Sequence, residues 1–166
     1  MKKILFSVLF TGCLAGCATA PVVSSDKPLP QLVQGQPVYV AIGQDNFPDE
    51  NKQVQRLFVE AFTPYMKPIF QSQRPLSFMY MTKIADILKT GYIIYPEITQ
   101  WEDHNTPWTT VRDKVTLRVT IIDAKSQRIL FKDNLSGKSS LWRTRNEKPD
   151  VVANDLVNRF VTEILK

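Results

Sequence analysis

Cysteine and histidine are the scarcest chemically reactive side chains in this sequence. Its 166 residues include two cysteines, Cys13 and Cys17, and one histidine, His104. If a leader is cleaved between Gly16 and Cys17, no free thiol remains for a disulfide, a metal site or catalysis. A lone histidine beside carboxylates is common in polar loops and is too little for a metal-binding pattern. The sequence therefore predicts no metal and no cofactor.

A long apolar run and a strong charge excess are also lacking. No stretch after Cys17 approaches the ~20 apolar residues that a membrane-spanning helix requires. The net charge of +5 falls to +3, with 19 basic and 16 acidic residues, when Lys2 and Lys3 are left out. This small excess suits anionic lipid headgroups, but it is far below the basic footprint of a nucleic-acid-binding protein. We expect no nucleic-acid partner.

The first 17 residues have the pattern of a bacterial lipoprotein leader. Two lysines precede an apolar run at residues 4–10, which is too short to remain as a membrane helix. Residues 14–17, Leu-Ala-Gly-Cys, match a lipobox, in which small residues precede the cut and the thiol takes a diacylglycerol. We expect a signal peptide at residues 1–16 and a lipid on Cys17. Ala18, in place of aspartate, favours sorting to the outer membrane. The alternative is an ordinary secretory signal in which Cys17 is incidental.

The rest of the chain divides into a tether and one domain. Residues 18–37 contain four prolines and no apolar period. Treated as a flexible coil, about 20 residues span roughly 25 Å on average and about 65–70 Å when drawn out. We therefore predict a lipidated tether at residues 17–36 and a single globular periplasmic domain at residues 37–166.

Apolar patterns in the domain predict an α/β fold. β-Branched or alternating apolar residues predict strands at residues 38–42, 76–80, 92–101, 114–124 and 129–131. Apolar stripes predict three helices, capped at their starts by Asp49, Thr82 and Asp150, with Gly91 as the left-handed exit of the second. The order β-α-β-α-β-β-β-α implies a two- or three-layer sandwich with a mixed sheet of about five strands. Parallel crossovers come first and an antiparallel meander follows.

Residues 91–108 are the most informative stretch of the domain. An apolar strand passes through Pro96, which removes one ladder donor and so predicts a sheet edge or a bulge beyond it. The motif Pro-Glu-Ile-Thr at residues 96–99, then Trp-Glu-Asp at 101–103, Thr106 and Trp108, resembles an uncharacterised family of proteobacterial lipoproteins of the DUF4823 type. The resemblance implies an envelope lipoprotein with no assigned activity.

Two tryptophans enclose the polar end of this stretch, and two interpretations of them stay open. Aromatic side chains beside charges can stack on sugars or anchor a protein partner. Alternatively, the tryptophans fold back over the sheet while the carboxylates cap loop amides. On the first interpretation the binding surface consists of Trp101, Glu102, Asp103, His104, Thr106 and Trp108.

The sequence predicts a non-catalytic binding or envelope-assembly module at the periplasmic face of the outer membrane. The lipid on Cys17 anchors it, and an envelope protein or a cell-wall glycan is the expected partner. The alternative is an envelope hydrolase that uses carboxylates and His104. In one strand Glu97 and Asp103 would lie about 20 Å apart, whereas paired glycosidase carboxylates lie about 5–9.5 Å apart. We assign no catalytic residue.

Acylation of Cys17 is directly testable. Radiolabelled palmitate should enter the wild-type protein and should be absent from Cys17→Ser, because the lipid is attached through that thiol. Cys13→Ser, inside the predicted signal peptide, is the matched control and should keep the label. Label retained in Cys17→Ser would overturn the lipoprotein interpretation.

Overall fold

The computed structural model describes residues 28–44, 46–104, 112–139 and 148–166. The predicted signal peptide, Cys17 and most of the tether lie outside these residues. Within them, five strands and three helices follow the predicted order β-α-β-α-β-β-β-α, which is confirmed. The strands are β1 Val38–Val40, β2 Ile69–Gln71, β3 Tyr92–Glu102, β4 Lys114–Asp123 and β5 Ile129–Lys138. The helices are α1 Pro48–Phe62, α2 Phe78–Ile87 and α3 Pro149–Ile164.

The strands form one mixed sheet in the order β2-β1-β3-β4-β5. Strand β1 pairs in parallel with both β2 and β3. Strands β3, β4 and β5 form an antiparallel meander. Parallel crossovers therefore come first and the meander follows, as the sequence predicts.

Helices cover both faces of the sheet, so the fold has three layers. Helices α1 and α3 pack on one face and form the main core, where the rings of Phe58 and Phe131 both contact Phe160. Helix α2 packs on the other face over a smaller cluster that includes Met81 and Ile93. Burying one such large side chain contributes about 1.5–3 kcal/mol. The larger cluster therefore supplies most of the hydrophobic stability.

The predicted strand at residues 76–80 is wrong. Residues 78–87 form α2, and the second strand lies earlier, at Ile69–Gln71. Three residues are too few to show a period, and this strand forms because Val38 and Val40 pair with Ile69 and Gln71. An alternation five residues long is equally compatible with the first turn of an apolar helix.

The predicted helix caps are also wrong. Thr82 lies inside α2, where its hydroxyl donates to the carbonyl of Met79 at 3.0 Å. Helices α1 and α3 begin two residues earlier than expected, at prolines, whose fixed φ suits the first helical position. Asp49 and Asp150 consequently lie in the first turn, where a carboxylate still interacts favourably with the helix dipole.

Gly91 has a packing role rather than the predicted left-handed one. The left-handed residue after α2 is Lys89, with φ of 53°. A Cβ on Gly91 would lie 3.1 Å from the Cβ of Gln36, and the N–H of Gly91 donates to the carbonyl of Pro37 at 2.7 Å. The glycine thus allows the incoming chain to lie close against the start of β3.

The prediction for Pro96 is confirmed. Strand β1 ends opposite Ile94, so beyond that residue β3 pairs only with β4 among the described strands. A register shift then falls between Ile98 and Gln100. The missing N–H of Pro96 therefore falls in a stretch of β3 that pairs with a described strand on one side only.

The two ends of the sheet have different neighbours. The chain arrives from the tether at the start of β3, where the N–H of Val33 donates to the hydroxyl of Tyr92 at 3.1 Å. We call this the proximal end, and the opposite end, at Glu102 and Lys114, the distal end. Strand β3 has 11 residues, so the two ends lie about 33 Å apart.

The β4–β5 turn is held by Asp123, and we expect its contribution to depend on pH. Its carboxylate accepts from the N–H and hydroxyl of Ser126 at 2.6 and 2.8 Å, and these bonds lower the pKa of Asp123. At pH 7 Asp123→Ala should lower the free energy of unfolding by about 1 kcal/mol. A lowered folded-state pKa means that this stabilisation is present above the unfolded pKa of about 3.9 and is lost as the pH falls through the folded value.

Urea unfolding from pH 7 to pH 2.5 measures this effect. The difference in the free energy of unfolding between wild type and Asp123→Ala should become smaller below about pH 4. Asp123→Asn keeps one acceptor oxygen, so its free energy of unfolding should fall by less than that of the alanine variant. A difference that stays constant across the series would argue against a role for the ionised carboxylate.

Candidate functional site

Four of the six predicted binding residues lie at the distal end of β3. Trp101 and Glu102 are its last two residues, and Asp103 and His104 follow it directly. Thr106 and Trp108 lie outside the described residues. The distal end therefore carries the described part of the predicted surface.

The pleat of β3 separates Trp101 from Glu102. Trp101 is half-buried and packs against the main core, in register with the fully buried Val115. Glu102 points to the opposite face, where it lies in register with Lys114. The two side chains therefore do not share a surface, and Trp101 belongs partly to the core.

Glu102 ends a polar row that crosses three strands. Its carboxylate accepts from the side-chain amide of Gln100, whose oxygen lies 3.3 Å from the hydroxyl of Thr116. That hydroxyl lies 3.2 Å from the hydroxyl of Ser136 on β5. The other carboxylate oxygen of Glu102 lies 3.6 Å from Nε2 of His104. Neighbouring side chains thus hold the Glu102 carboxylate beside the imidazole.

Asp113, which the sequence analysis missed, fixes the position of His104 just after the end of β3. Its carboxylate accepts from the backbone N–H of His104 at 2.7 Å. Its own N–H donates to the hydroxyl of Ser139 at 3.0 Å, and its carbonyl accepts from the N–H of Ser139 at 2.9 Å. Asp113 thereby ties the ends of β3 and β5 to the start of β4. An aspartate just before a strand offers no local signal of these long-range bonds.

The chemistry available to Glu102 and His104 is limited by their geometry. The 3.6 Å separation exceeds the 2.7–3.2 Å range of an N–H···O hydrogen bond. Nε2 of His104 has no hydrogen-bond partner among the described residues. Within the same residues no group of three His, Cys, Asp or Glu side chains could hold a metal ion. The pair therefore offers a carboxylate and an imidazole for polar contacts to a ligand.

Helix α2 presents a second candidate surface, which the sequence analysis also missed. The helix buries only Met81, Thr82 and Ala85, while Met79 is 75% exposed and Ile87 is 67% exposed. We define the α2 surface as the exposed apolar side chains Phe78, Met79, Tyr80 and Ile87. A signal was available in the sequence: the run Phe-Met-Tyr-Met at residues 78–81 has too many large apolar side chains for one narrow helix face. In the described part of the chain, no helix combines the length and the apolar character needed to cross a membrane.

Comparison with known families identifies the chain. The family described as "Domain of unknown function (DUF4823)" matches residues 30–163. The chain belongs to the DUF4823 family. The resemblance seen in the motif at residues 96–108 is confirmed. No curated protein matches the chain in sequence.

Solved structures with similar folds come from other bacterial proteins. The PelC dodecamer from Paraburkholderia phytofirmans is 12% identical, with a TM-score of 0.69 over 87% of this chain and 96% of that one. XCC0632 from Xanthomonas campestris, described as family-model DUF330, is 11% identical, with a TM-score of 0.52 over 87% and 89%. Lipoprotein GNA1162 from Neisseria meningitidis is 11% identical, with a TM-score of 0.46 over 78% and 97%. At these identities the first two show a shared fold with this DUF4823 protein and nothing more.

Truncating each tryptophan separates scaffold from surface. Trp101→Ala should lower the free energy of unfolding by about 2 kcal/mol, less than the 3–5 kcal/mol of a fully buried tryptophan, because Trp101 is half-buried against the core. Trp108→Ala should change it by about 1 kcal/mol or less if that side chain is part of a binding surface. Thermal and urea unfolding measure both. A loss of about 3 kcal/mol or more in Trp108→Ala would instead make Trp108 a core residue.

Proposed function

We propose that this DUF4823 protein is a non-catalytic binding or assembly module of the bacterial envelope. The lipid on Cys17 tethers it to the periplasmic face of the outer membrane, and its partner is an envelope protein. The observation that carries this proposal is the α2 surface, because large apolar side chains there contact solvent instead of the core.

Exposed apolar side chains are informative when they lie side by side. Scattered apolar residues are normal on any protein surface, whereas contiguous patches mark interaction sites. Tyr80 and Ile87 are seven residues apart and so lie on the same side of α2, and Met79 lies about 100° around the helix from Tyr80. Phe78, which begins the helix, lies on the same side as the buried Ala85. Aromatic residues and methionine are enriched at the centres of protein interfaces. The composition of the α2 surface therefore favours a protein partner over a glycan.

Tether length supports a position close to the membrane. Ten residues, 18–27, lie between Cys17 and Pro28, the first described residue. Fully extended, that segment reaches at most about 40 Å. The chain enters at the proximal end, so on this proposal the distal end is the part of the domain available to partners away from the anchor.

The distal end supports a second contact for the same partner. Glu102, Asp103 and His104 place charged and polar groups there, and Thr106 and Trp108 follow in the sequence. We assign Trp101 the role of fastening this segment to the core. Of the remaining five residues, Glu102, Asp103, His104 and Thr106 supply the polar groups of this proposed contact and Trp108 its aromatic side chain.

A hydrolase is the alternative, and the proximity of Glu102 to His104 is the observation that favours it. A histidine base is normally oriented by a hydrogen bond to its second ring nitrogen. The nearby Asp113 carboxylate accepts instead from the backbone N–H of His104. With no such bond to the ring among the described residues, the geometry supports binding better than hydrolysis.

Site-specific crosslinking in intact cells tests the α2 surface. A photo-crosslinking amino acid in place of Lys83, which is exposed in the middle of α2, should give an adduct of one defined mass. The double variant Met79→Gln and Ile87→Gln should reduce that adduct about tenfold or more, because interface anchors each contribute about 1–2 kcal/mol. The free energy of unfolding of the double variant should change by about 0.5 kcal/mol or less, since both side chains are exposed.

The matched control places the same crosslinker at Asn158, on the exposed side of α3, where we expect no adduct. An adduct that forms equally well in the double variant would contradict the proposal. An adduct of twice the protein's mass would identify the partner as a second copy of the chain, an assembly of the kind for which PelC is described as a dodecamer.

A further inference from the structure

An open crevice of about 550 Å³ lies where β1 and β2 end, separate from the α2 surface and from the distal residues of β3. Ile42, Lys52, Gln55, Arg56, Ser72 and Gln73 are among its lining residues. We propose that this crevice binds a small polar molecule through a carboxylate or phosphate group. This inference does not depend on the function proposed above.

The topology of the sheet explains why a crevice forms at this position. Strands β1 and β2 are adjacent and parallel. The chain leaves β1 for α1 on the main-core face and leaves β2 for α2 on the other face. In open α/β sheets, ligands bind where the connections from neighbouring strands diverge in this way, outside the carboxyl ends of the strands. The volume is within the 300–1,000 Å³ typical of small-molecule sites.

The floor of the crevice is built from buried polar groups that bond to each other. Gln55 is 4% exposed, and its amide nitrogen donates to the carbonyls of Val40 and Ser72 at 2.9 and 3.0 Å. The hydroxyl of Ser72 accepts from the N–H of Ile42 at 2.8 Å. These bonds hold the two strand ends in one arrangement, and a preorganised site loses less entropy on binding.

Charge on the walls favours an anion. Of the described residues that line the crevice, Lys52 and Arg56 are basic and only Asp49 is acidic. Asp49 is almost fully exposed and lies 3.9 Å from Lys52. Arg56 has no ion pair within the described segments. An adjoining cavity of about 330 Å³ shares residues 71–73 with the crevice and adds Arg74. Guanidinium groups match carboxylate and phosphate geometry through paired hydrogen bonds.

A buried amide without a described partner lies on α1 next to the lining residue Lys52, although it does not itself line the crevice. Asn51 is 2% exposed, and neither its amide nitrogen nor its oxygen has a partner among the described residues. It lies one helical turn before Gln55, with its oxygen 2.7 Å from where a Cβ on Gly43 would stand. Buried polar groups in folded proteins nearly always have partners.

Ligand titration of the intact protein tests the proposal. The lipidated protein in neutral detergent would be titrated with inorganic phosphate, glucose 1-phosphate, glucuronate and, as the uncharged comparison, glucose, while backbone amide NMR shifts are recorded. We expect saturable shifts at Ile42, Arg56 and Ser72 with at least one anion and none with glucose. The two sugar anions show whether phosphate or carboxylate is preferred.

Two arginine variants make the test specific. Arg56→Gln should lower the affinity for the preferred anion at least tenfold. Arg128→Gln, at an exposed position in the turn before β5, should leave its affinity unchanged. Equal affinity for glucose, no saturable binding of any anion, or equal effects of the two variants would each overturn the proposal.

Discussion

Strand β1 joins the two halves of the sheet through only three residues, Val38, Tyr39 and Val40. It pairs with β2 on one side and with β3 on the other, and all three side chains are buried. Alternate side chains enter different layers: Val38 and Val40 join the main core, while Tyr39 joins the cluster under α2. Both helical layers and the edge strand β2 therefore depend on this one short pairing.

The shortness of β1 also determines where the candidate sites lie. Because β1 stops opposite Ile94 while β3 continues to Glu102, the meander extends beyond the parallel half on its distal side. Gly43 crosses closely over the carbonyl of Pro96, where a Cβ would stand 2.5 Å from that oxygen. Beyond this step β3 pairs with β4 and carries the Glu102–His104 pair to the distal end.

Low sequence identity to proteins of the same fold is consistent with how this fold is held together. The core needs apolar side chains at helical and strand positions, and many combinations of Val, Ile, Leu and Phe fill the same volume. The groups that distinguish this chain lie elsewhere. They are the apolar exposure of α2, the charged crevice and the distal polar row, and none of them is required to form the three layers.

Local periodicity in the sequence was enough to determine the elements that are long. Strands β3 and β4 each span ten residues or more, and α1 and α3 carry stripes of buried residues such as Phe58 and Phe160. Over that length, apolar residues that repeat every two residues indicate a strand, and those that repeat every 3.6 residues indicate a helix. The order of these long elements followed from such local patterns, the edge beyond Pro96 followed from its missing N–H, and the resemblance to the DUF4823 family came from the motif at residues 96–108.

Only the tertiary structure decided features that depend on partners distant in the sequence. Strand β2 exists because β1 pairs with it, and the bonds of Asp113 join residues up to 26 positions apart. The pleat of β3 puts Trp101 in the core and Glu102 on the other face, although they are adjacent in the chain. The crevice depends on connections that leave β1 and β2 for opposite faces. A sequence records which side chains are available, but burial and proximity arise only when non-local pairings bring elements together.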